Sequence, residues 1–284
     1  MTTPKAHAML DTDFSGEHLV LSSERDLERA TSALAAGCAV AHGFGNFYAI
    51  TARPDAAAVE RINVLKGRPP QQVGSVVTTP LRAARLFDWS RLPDGLSANR
   101  VFDLMERLFA LGPIGFRGPA AAHLPEHLTS WDGPIRTTQI IFPGQRCPSN
   151  AFFSRAMQAI GSDFLYTTSG NRSRHQTGAE DEPVHYRGEA IAQAFWGAPG
   201  FLVLRHADEA RTLVEHPLHD PMSTTILAFH RLDSLSAGNN MTLIMERHGS
   251  LPFSTLEPIV NRMGYGLALS AKAAIRLAQR DYGA

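Results

Sequence analysis

Residues 38–78 read CAVAHGFGNFYAITARPDAAAVERINVLKGRPPQQVGSVVT, and this stretch decides the fold class. The apolar run at 38–41 predicts a buried strand that ends at a glycine turn. Asp55 can then cap a helix whose apolar residues recur every three to four positions, before a second apolar strand at 73–78. A strand, a glycine turn, a helix and a strand in this order are typical of α/β proteins.

The same alternation of strands and helices continues along the chain. Further strands are predicted at 136–142, 163–168, 201–204, 224–229 and 242–246. Further helices are predicted at 97–111, 149–160, 254–263 and 269–280. Because no linker rich in Pro, Gly or Ser divides the chain, we expect one α/β domain over 15–255. A short helical extension at 256–284 is expected to pack on the same domain.

The composition is that of a folded protein with balanced charge. Hydrophobic residues make up 44% of the 284 residues and charged residues 19%, which excludes wholesale disorder. Lys and Arg number 27, as do Asp and Glu. This balance argues against binding of nucleic acid or anionic membrane by the whole surface, although a local basic patch stays possible.

Cysteine content and hydropathy point to the cytoplasm. Cys38 and Cys147 are the two cysteines of the chain, too few for a disulfide framework. No stretch approaches the ~18 apolar residues of a membrane span. Residues 1–14 lack the basic start and apolar segment of a signal peptide. We therefore expect a cytoplasmic protein.

Two short polar motifs follow predicted elements. Lys66-Gly67-Arg68 ends a helix, where both cations can converge on one anion such as a triphosphate, although the helix dipole alone also favours cations there. Ser169-Gly170-Asn171 follows a strand, at the end of an α/β sheet where ligands bind, although an ordinary polar turn has a similar composition. His123 and His127 lack the glutamate of a zinc motif, and His216 and His219 could form a metal cluster with Asp220, but such short patterns often occur by chance and we predict no metal site.

In this order, the glycine–aromatic turn at 43–48, Lys66-x-Arg68-Pro69 and the Thr-Ser-Gly-Asn at 168–171 resemble the Sua5/YrdC/YciO family. Further segments that resemble family motifs are Leu-Gly-Pro-Ile at 111–114, Ser-Thr-Thr-Ile at 223–226, and 244–250 with Arg247 and Gly249. The resemblance covers roughly residues 20–255. It implies a YrdC-like single domain, with a twisted, mixed open sheet flanked by helices.

The resemblance also implies an activity. It is that of a nucleotidyltransferase that uses ATP and Mg²⁺ to adenylate a carbamate-type carboxylate, as threonylcarbamoyl-AMP synthases do, with release of pyrophosphate. The residues that would hold the ATP phosphates are Lys66, Arg68, Ser169, Asn171 and Arg247. Lys66 and Arg68 would be catalytic. Such chemistry rests on positioning and charge neutralisation, so no side chain need form a covalent intermediate.

The first glycine turn departs from the pattern of threonine-using members. Those members carry Pro-Thr-Asp-Thr-x-Tyr-Gly-Leu, whereas residues 43–50 read GFGNFYAI. The turn is closer to that in the YrdC-like domain of HypF-type and antibiotic-tailoring carbamoyltransferases, which form carbamoyl-AMP from carbamoyl phosphate. The activated group is therefore either an N-carboxy amino acid or carbamate. The expected substrate-pocket residues are Phe44, Asn46, Tyr48, Ser223 and Thr224.

A second departure removes a cation. A family arginine in an Arg-Val-Pro segment is replaced here by Ile141, in Ile141-Phe142-Pro143. Arg117, Arg136 and Arg146 are the candidates to replace its charge, and the sequence does not choose among them.

Other functions stay open at this stage. The chain could be a non-catalytic module that binds double-stranded RNA or nucleotide, which the balanced charge disfavours for RNA, or a subunit that acts only with a partner. An enzyme of this kind needs a separate acceptor enzyme or a tRNA-modification partner for its product. The polar stretch 172–190 is a candidate lid.

Overall fold

The computed structural model describes residues 8–173, 182–233 and 241–283. Twelve strands of these residues form one sheet. They are β1 (Leu19–Val20), β2 (Ala39–Phe44), β3 (Phe47–Ala52), β4 (Ser75–Val77), β5 (Ile114–Pro119), β6 (Ser130–Asp132), β7 (Ile135–Phe142), β8 (Leu165–Ser169), β9 (Phe201–Arg205), β10 (Ile226–Ala228), β11 (Thr242–Arg247) and β12 (Gly266–Leu269).

The sheet is mixed, as predicted. Its order is β1-β9-β2-β3-β8-β4-β7-β5-β10-β11-β12, with β6 paired to β7 at the side. The pair β4/β7 is parallel, whereas β7 runs antiparallel to β5 and β8 antiparallel to both β3 and β4. Strands that are distant in sequence therefore meet at the centre of the sheet.

Helices cover both faces of the sheet. They are α1 (Glu24–Ala35), α2 (Ala56–Lys66), α3 (Pro80–Ala83), α4 (Ala98–Leu111), α5 (Ser149–Ile160), α6 (Gly188–Ala194), α7 (Glu209–Glu215) and α8 (Phe253–Arg262). One hydrophobic core includes residues of α2, α4 and α8, and a second includes residues of α1 and α5. Alternate residues of β2 enter the two cores, Ala39 and Ala41 the first and Val40 the second. The α/β fold class predicted from the sequence is thus confirmed.

Of the β2–β3 hairpin, the sequence predicted the first strand but not the second. The sequence predicts one strand that ends near residue 41, but β2 continues to Phe44 and pairs antiparallel with β3. The turn uses Gly45, whose φ of +62° is in the left-handed region that glycine reaches without strain. Gly45 also lies against Pro113, where an added Cβ would be 2.8 Å from the proline Cγ.

The helix predicted at 269–280 is wrong. Residues 266–269 form β12, parallel to β11, and a single 3₁₀ turn follows at Ala271–Ala273. The remaining described residues form neither a helix nor a strand, and we call them the C-terminal segment (274–283). Contacts with distant residues accompany the difference: the N–H of Leu277 donates to the carbonyl oxygen of His248, and the side chain of Arg276 donates to those of Gly249 and Ser250, so polar groups that a helix would leave to itself or to solvent are bonded across the molecule. The domain boundary at 255 stays a prediction.

No helix in the described residues is long and apolar enough to cross a membrane. The cytoplasmic location stays a prediction.

Candidate functional site

A cavity of about 360 Å³ is lined by residues of the central strands, and its volume is within the range of ~300–1,000 Å³ that is usual for small-molecule sites. Three arginines line it: Arg68, Arg117 and Arg247. The polar residues that line it are Gln72, Ser75, Ser130, Thr137, Gln139, Thr168, Ser169, Ser223 and Thr224. Among its described lining residues there is no Asp or Glu. The cavity is therefore suited to an anion.

Of the Lys66-Gly67-Arg68 motif at the end of α2, Arg68 lines the cavity, whereas Lys66 does not. Gly67, with a φ of +75°, caps the helix and turns the chain. Lys66 is fully buried, and its Nζ donates to the carbonyl oxygen of Ser169 and, at 3.3 Å, to Oδ1 of Asn171. Arg68 donates from Nη1 to Oγ1 of Thr168 at 2.7 Å. The two cations predicted to act together thus both contact the end of β8.

The Ser169-Gly170-Asn171 motif forms the turn after β8. Ser169 lines the cavity, but Asn171 does not. The Asn171 side chain accepts a hydrogen bond from Lys66 and donates to the carbonyl oxygens of Arg172 and Glu182. Asn171 therefore positions Lys66 and the chain at 182. Of the predicted lid at 172–190, residues 174–181 lie outside the described residues.

Arg247 enters from the end of β11. Its Nε and Nη2 donate to the carbonyl oxygen and Oγ1 of Thr224, both at 2.7 Å. Burial, with a smaller contribution from the charge of Arg68, lowers the pKa of Arg247 to about 10. The guanidinium is still charged at neutral pH, and an anion placed beside both arginines would relieve their repulsion.

The structure distinguishes the three candidate replacement arginines. Arg117 lines the cavity together with Ile141. Arg136 turns away and donates to Oγ1 of Thr129 and the carbonyl oxygen of Leu124. Arg146 is exposed and lines a separate cavity beside His216. Arg117 is thus the candidate whose charge is in the cavity.

Three of the five predicted substrate-pocket residues lie outside the cavity. Ser223 and Thr224 line it, but Phe44, Asn46 and Tyr48 do not. Phe44 packs in the second core, the Nδ2 of Asn46 donates to the carbonyl oxygen of His219, and the hydroxyl of Tyr48 donates to Glu209. The β3 residues that do line it are Phe47 and Ala49. Because side chains alternate along a strand, Tyr48 faces the opposite side from its two neighbours.

The sequence reading also missed the floor of the cavity. Thr137, Gln139 and Ile141 of β7 all line it, and Ser130 of β6 lies beside them. Gln139 donates to Oγ of Ser75. Thr137 and Gln139 are two positions apart in a strand and so share one face, and this polar pair in the sequence could have indicated the cavity floor.

The described lining does not fit a Mg²⁺ ion held by protein side chains, because Mg²⁺ prefers carboxylate oxygens and the described lining has none. A His–carboxylate group does lie near the floor, formed by Asp132, His230 and Glu246. Both carboxylates already pair with arginines: Arg231 contacts Asp132 at 3.2 Å and Glu246 at 3.0 Å, and Arg117 contacts Glu246 at 3.3 Å. This group is best described as an ion-pair network.

The chain has no match among protein-family models or curated proteins. Its structure is similar to P. abyssi Sua5 complexed with L-threonine, with a TM-score of 0.61 and 16% identity over 87% of this chain and 60% of that one. A hypothetical protein from Streptococcus mutans aligns with a TM-score of 0.60 and 12% identity over 89% of this chain and 96% of that one. For E. coli YciO the TM-score is 0.51 and the identity 16%, over 72% and 84% of the two chains. The chain spans 60% of the matched Sua5, and the likeness shows a Sua5/YrdC/YciO-like fold.

Proposed function

We propose that the protein is an ATP-dependent, adenylate-forming enzyme that activates a carbamate-type carboxylate and releases pyrophosphate. The activated group is an N-carboxy amino acid or carbamate. The observation that carries the proposal is the cavity itself, where three arginines converge and no carboxylate is found among the described lining residues. The solved structure of Sua5 with L-threonine, which has a similar fold, supports a substrate about the size of an amino acid.

In this proposal ATP binds with its phosphates at the Arg68 and Arg247 side of the cavity. Lys66 supplies a further positive charge just behind Ser169, and the Ser169 hydroxyl is available at the lining. Asn171 acts by holding Lys66. Arginine suits this role because its planar fork can donate two parallel hydrogen bonds to one phosphate.

The chemistry is one displacement at phosphorus. A carboxylate oxygen forms a bond to the α-phosphorus, the bond from that phosphorus to the bridging oxygen breaks, and pyrophosphate leaves with the electron pair. Both reactants are anions, so the cations must reduce their repulsion and stabilise the charge that grows on the leaving group. No proton transfer and no covalent enzyme intermediate are needed. Mg²⁺ would enter bound to ATP as part of the substrate.

The direct test is a pyrophosphate-release assay with ATP and MgCl₂, with products identified by mass spectrometry. Bicarbonate plus threonine is compared with ammonium carbamate, which supplies the carbamate carboxylate directly. Pyrophosphate release in either reaction, together with the matching acyl-AMP, supports the proposal and shows which of the two carboxylates is activated. ATP binding without release in either reaction would instead favour a subunit that acts with a partner.

The double substitution Lys66→Ala/Arg68→Ala should lower pyrophosphate release at least about 100-fold, because two charges at the phosphate side are lost. The matched control is Arg107→Ala/Lys272→Ala, which removes one Arg and one Lys from exposed positions. Thermal unfolding of both variants separates loss of activity from loss of fold. Unchanged turnover in a folded Lys66→Ala/Arg68→Ala protein would contradict the assigned roles.

A further inference from the structure

The strand β11 contains a bulge at Glu246. Consecutive residues of β10 pair with Arg247 and Met245 of β11, and Glu246 is left between them without a partner in β10. A bulge inserts one extra residue into a strand and changes the direction of nearby side chains. Bulges are frequent beside active sites, so the effect of this one on the cavity is of interest.

The bulge places two consecutive residues on the cavity face of the sheet. Leu243 and Met245 belong to the first core, and regular alternation would send Arg247 to the same side. Arg247 instead lines the cavity. Glu246 also lies on the cavity side, because its carboxylate contacts Arg117, another residue of the lining. A cation and an anion that are adjacent in sequence therefore both reach the cavity region.

Glu246 contacts Arg117 from outside the cavity lining. Its Oε2 accepts from Nη1 of Arg117 at 3.3 Å. Its Oε1 accepts from Nη2 of Arg231 at 3.0 Å and lies 3.7 Å from Nε2 of His230. The Glu246 side chain is 11% exposed and that of Arg231 is 46% exposed, so water screens the contact with Arg231 strongly. The charge of Glu246 therefore stays effective toward the cavity.

Three contacts hold the guanidinium of Arg117, and one of them is charged. Nε donates to Oγ1 of Thr137 at 3.0 Å and Nη2 to Oγ of Ser130 at 2.9 Å, and both of these partners are neutral hydroxyls. Of the three partners, Glu246 is the one that offsets the charge of Arg117. Because the described lining has three arginines and no carboxylate, Glu246 reduces the positive charge that an anion in the cavity meets.

Resting on the proposed function, we propose that Glu246 is a positioning residue that acts through Arg117 and limits the affinity of the cavity for pyrophosphate. Cations that stabilise the leaving group also bind it after the bond has broken. Three arginines without a counter-charge would hold this product tightly and slow the next turnover. Glu246 lowers that affinity without itself lining the cavity, so the pyrophosphate can leave.

Calorimetric titration with pyrophosphate compares wild type with Glu246→Gln, in which the amide oxygen can still accept from Arg117 but the charge is gone. Glu246→Gln should bind pyrophosphate about threefold to tenfold more tightly, and added salt should reduce the difference. Glu246→Asp keeps the charge and should stay within about twofold of wild type. A residue with a merely structural role would lower this affinity when replaced, or leave it unchanged.

Asp132→Asn is the matched control, because it removes the same charge from a carboxylate that pairs with His230 and Arg231. The Asp132 side chain is 31% exposed, so this variant should raise the affinity by less than about twofold. Arg231→Gln should act in the opposite direction and lower the affinity about twofold or more, because Glu246 then balances Arg117 alone. Thermal unfolding shows whether each variant is folded.

An unchanged or lower affinity in folded Glu246→Gln would overturn the proposal, as would an equal rise in Asp132→Asn. If Glu246→Gln does not fold, Arg231→Gln decides, and an affinity that does not fall there would overturn it. Failure of wild type and Glu246→Gln alike to bind pyrophosphate would also overturn it. The titration needs no turnover, so a clear effect of Glu246 without pyrophosphate release in the enzyme assay would reject the proposed reaction and leave the effect of Glu246 on anion binding.

Discussion

At the scale of single residues, the cavity brings together charges that repel one another. Arg247 is half-buried, and its pKa falls to about 10 from loss of solvation and from the nearby Arg68. Its hydrogen bonds to Thr224 fix the guanidinium where a small anion can reach it. Such an arrangement is costly without a ligand, so an anion at this position gains the energy of relieved repulsion in addition to its hydrogen bonds.

Gly45 gives a prediction about the β2–β3 turn. Gly45→Ala should lower the free energy of unfolding by about 1–2 kcal/mol for its positive φ, and by about 1–3 kcal/mol more for the contact with Pro113. Urea denaturation measures the change.

The control for that substitution is Gly133→Ala. Gly133 has a similar φ of +56°, but an added Cβ there has no atom within 4 Å. Gly133→Ala should therefore lower the free energy of unfolding only by the cost of placing alanine at a positive φ. Equal losses in the two variants would mean that the chain relaxes around Pro113 and that the close approach has no cost.

At the scale of elements, the C-terminal segment connects β11 to the chain that follows the 169–171 turn. Arg276 donates to the carbonyl oxygens of Gly249 and Ser250, and Arg280 pairs with Glu182. The Tyr282 hydroxyl accepts hydrogen bonds from the backbone N–H groups of Tyr186 and Arg187. Since Asn171 also holds Glu182, the segment supports one side of the candidate site.

Tyr282→Phe tests this support. Removal of the hydroxyl leaves the amides of Tyr186 and Arg187 without that acceptor, at a cost of about 0.5–1.5 kcal/mol. Hydrogen exchange at these two amides should become faster by about threefold to tenfold, as measured by NMR or mass spectrometry.

Tyr265→Phe is the matched control, because the Tyr265 hydroxyl has no hydrogen-bond partner in the described residues. Its effect on the free energy of unfolding should be close to zero. Unchanged exchange at 186 and 187 in Tyr282→Phe would show that the C-terminal segment does not hold this part of the chain.

At the scale of the whole molecule, buried histidines predict a stability that depends on pH. Burial is the main cause that lowers the pKa values of His42, His185, His206 and His219 to about 4. The unfolded chain has histidine pKa values near 6.5, so between about pH 4 and 6.5 it binds more protons than the folded chain. The free energy of unfolding should therefore rise with pH across this window and level off above it.

Each such histidine contributes a slope of at most about 1.4 kcal/mol per pH unit. His219→Leu should make the slope shallower by up to that amount, since neither ring nitrogen of His219 has a hydrogen-bond partner in the described chain. His123→Gln, at an exposed position, should leave the slope unchanged. Parallel curves for wild type and His219→Leu would show that His219 is not buried in solution as it is here.

Periodicity predicted well the elements that bury one face. The helix from Ser97 and the helix at 149–160 appear as Ala98–Leu111 and Ser149–Ile160, because apolar spacing and capping residues are local properties. The strands β5 and β12 were missed. Both gain their structure from pairing with residues distant in sequence, which no local window contains.

The sequence by itself determined the alternation of strands and helices, the ends of the main helices, and the residues Lys66, Arg68, Ser169 and Arg247 that carry the motif resemblance. Only the tertiary structure decided which side chains share the cavity. It placed Phe47 and Ala49 there instead of Phe44 and Tyr48, and chose Arg117 over Arg136 and Arg146. The reason is that strand register and pairing set the face on which each side chain lies, and these depend on contacts between distant segments.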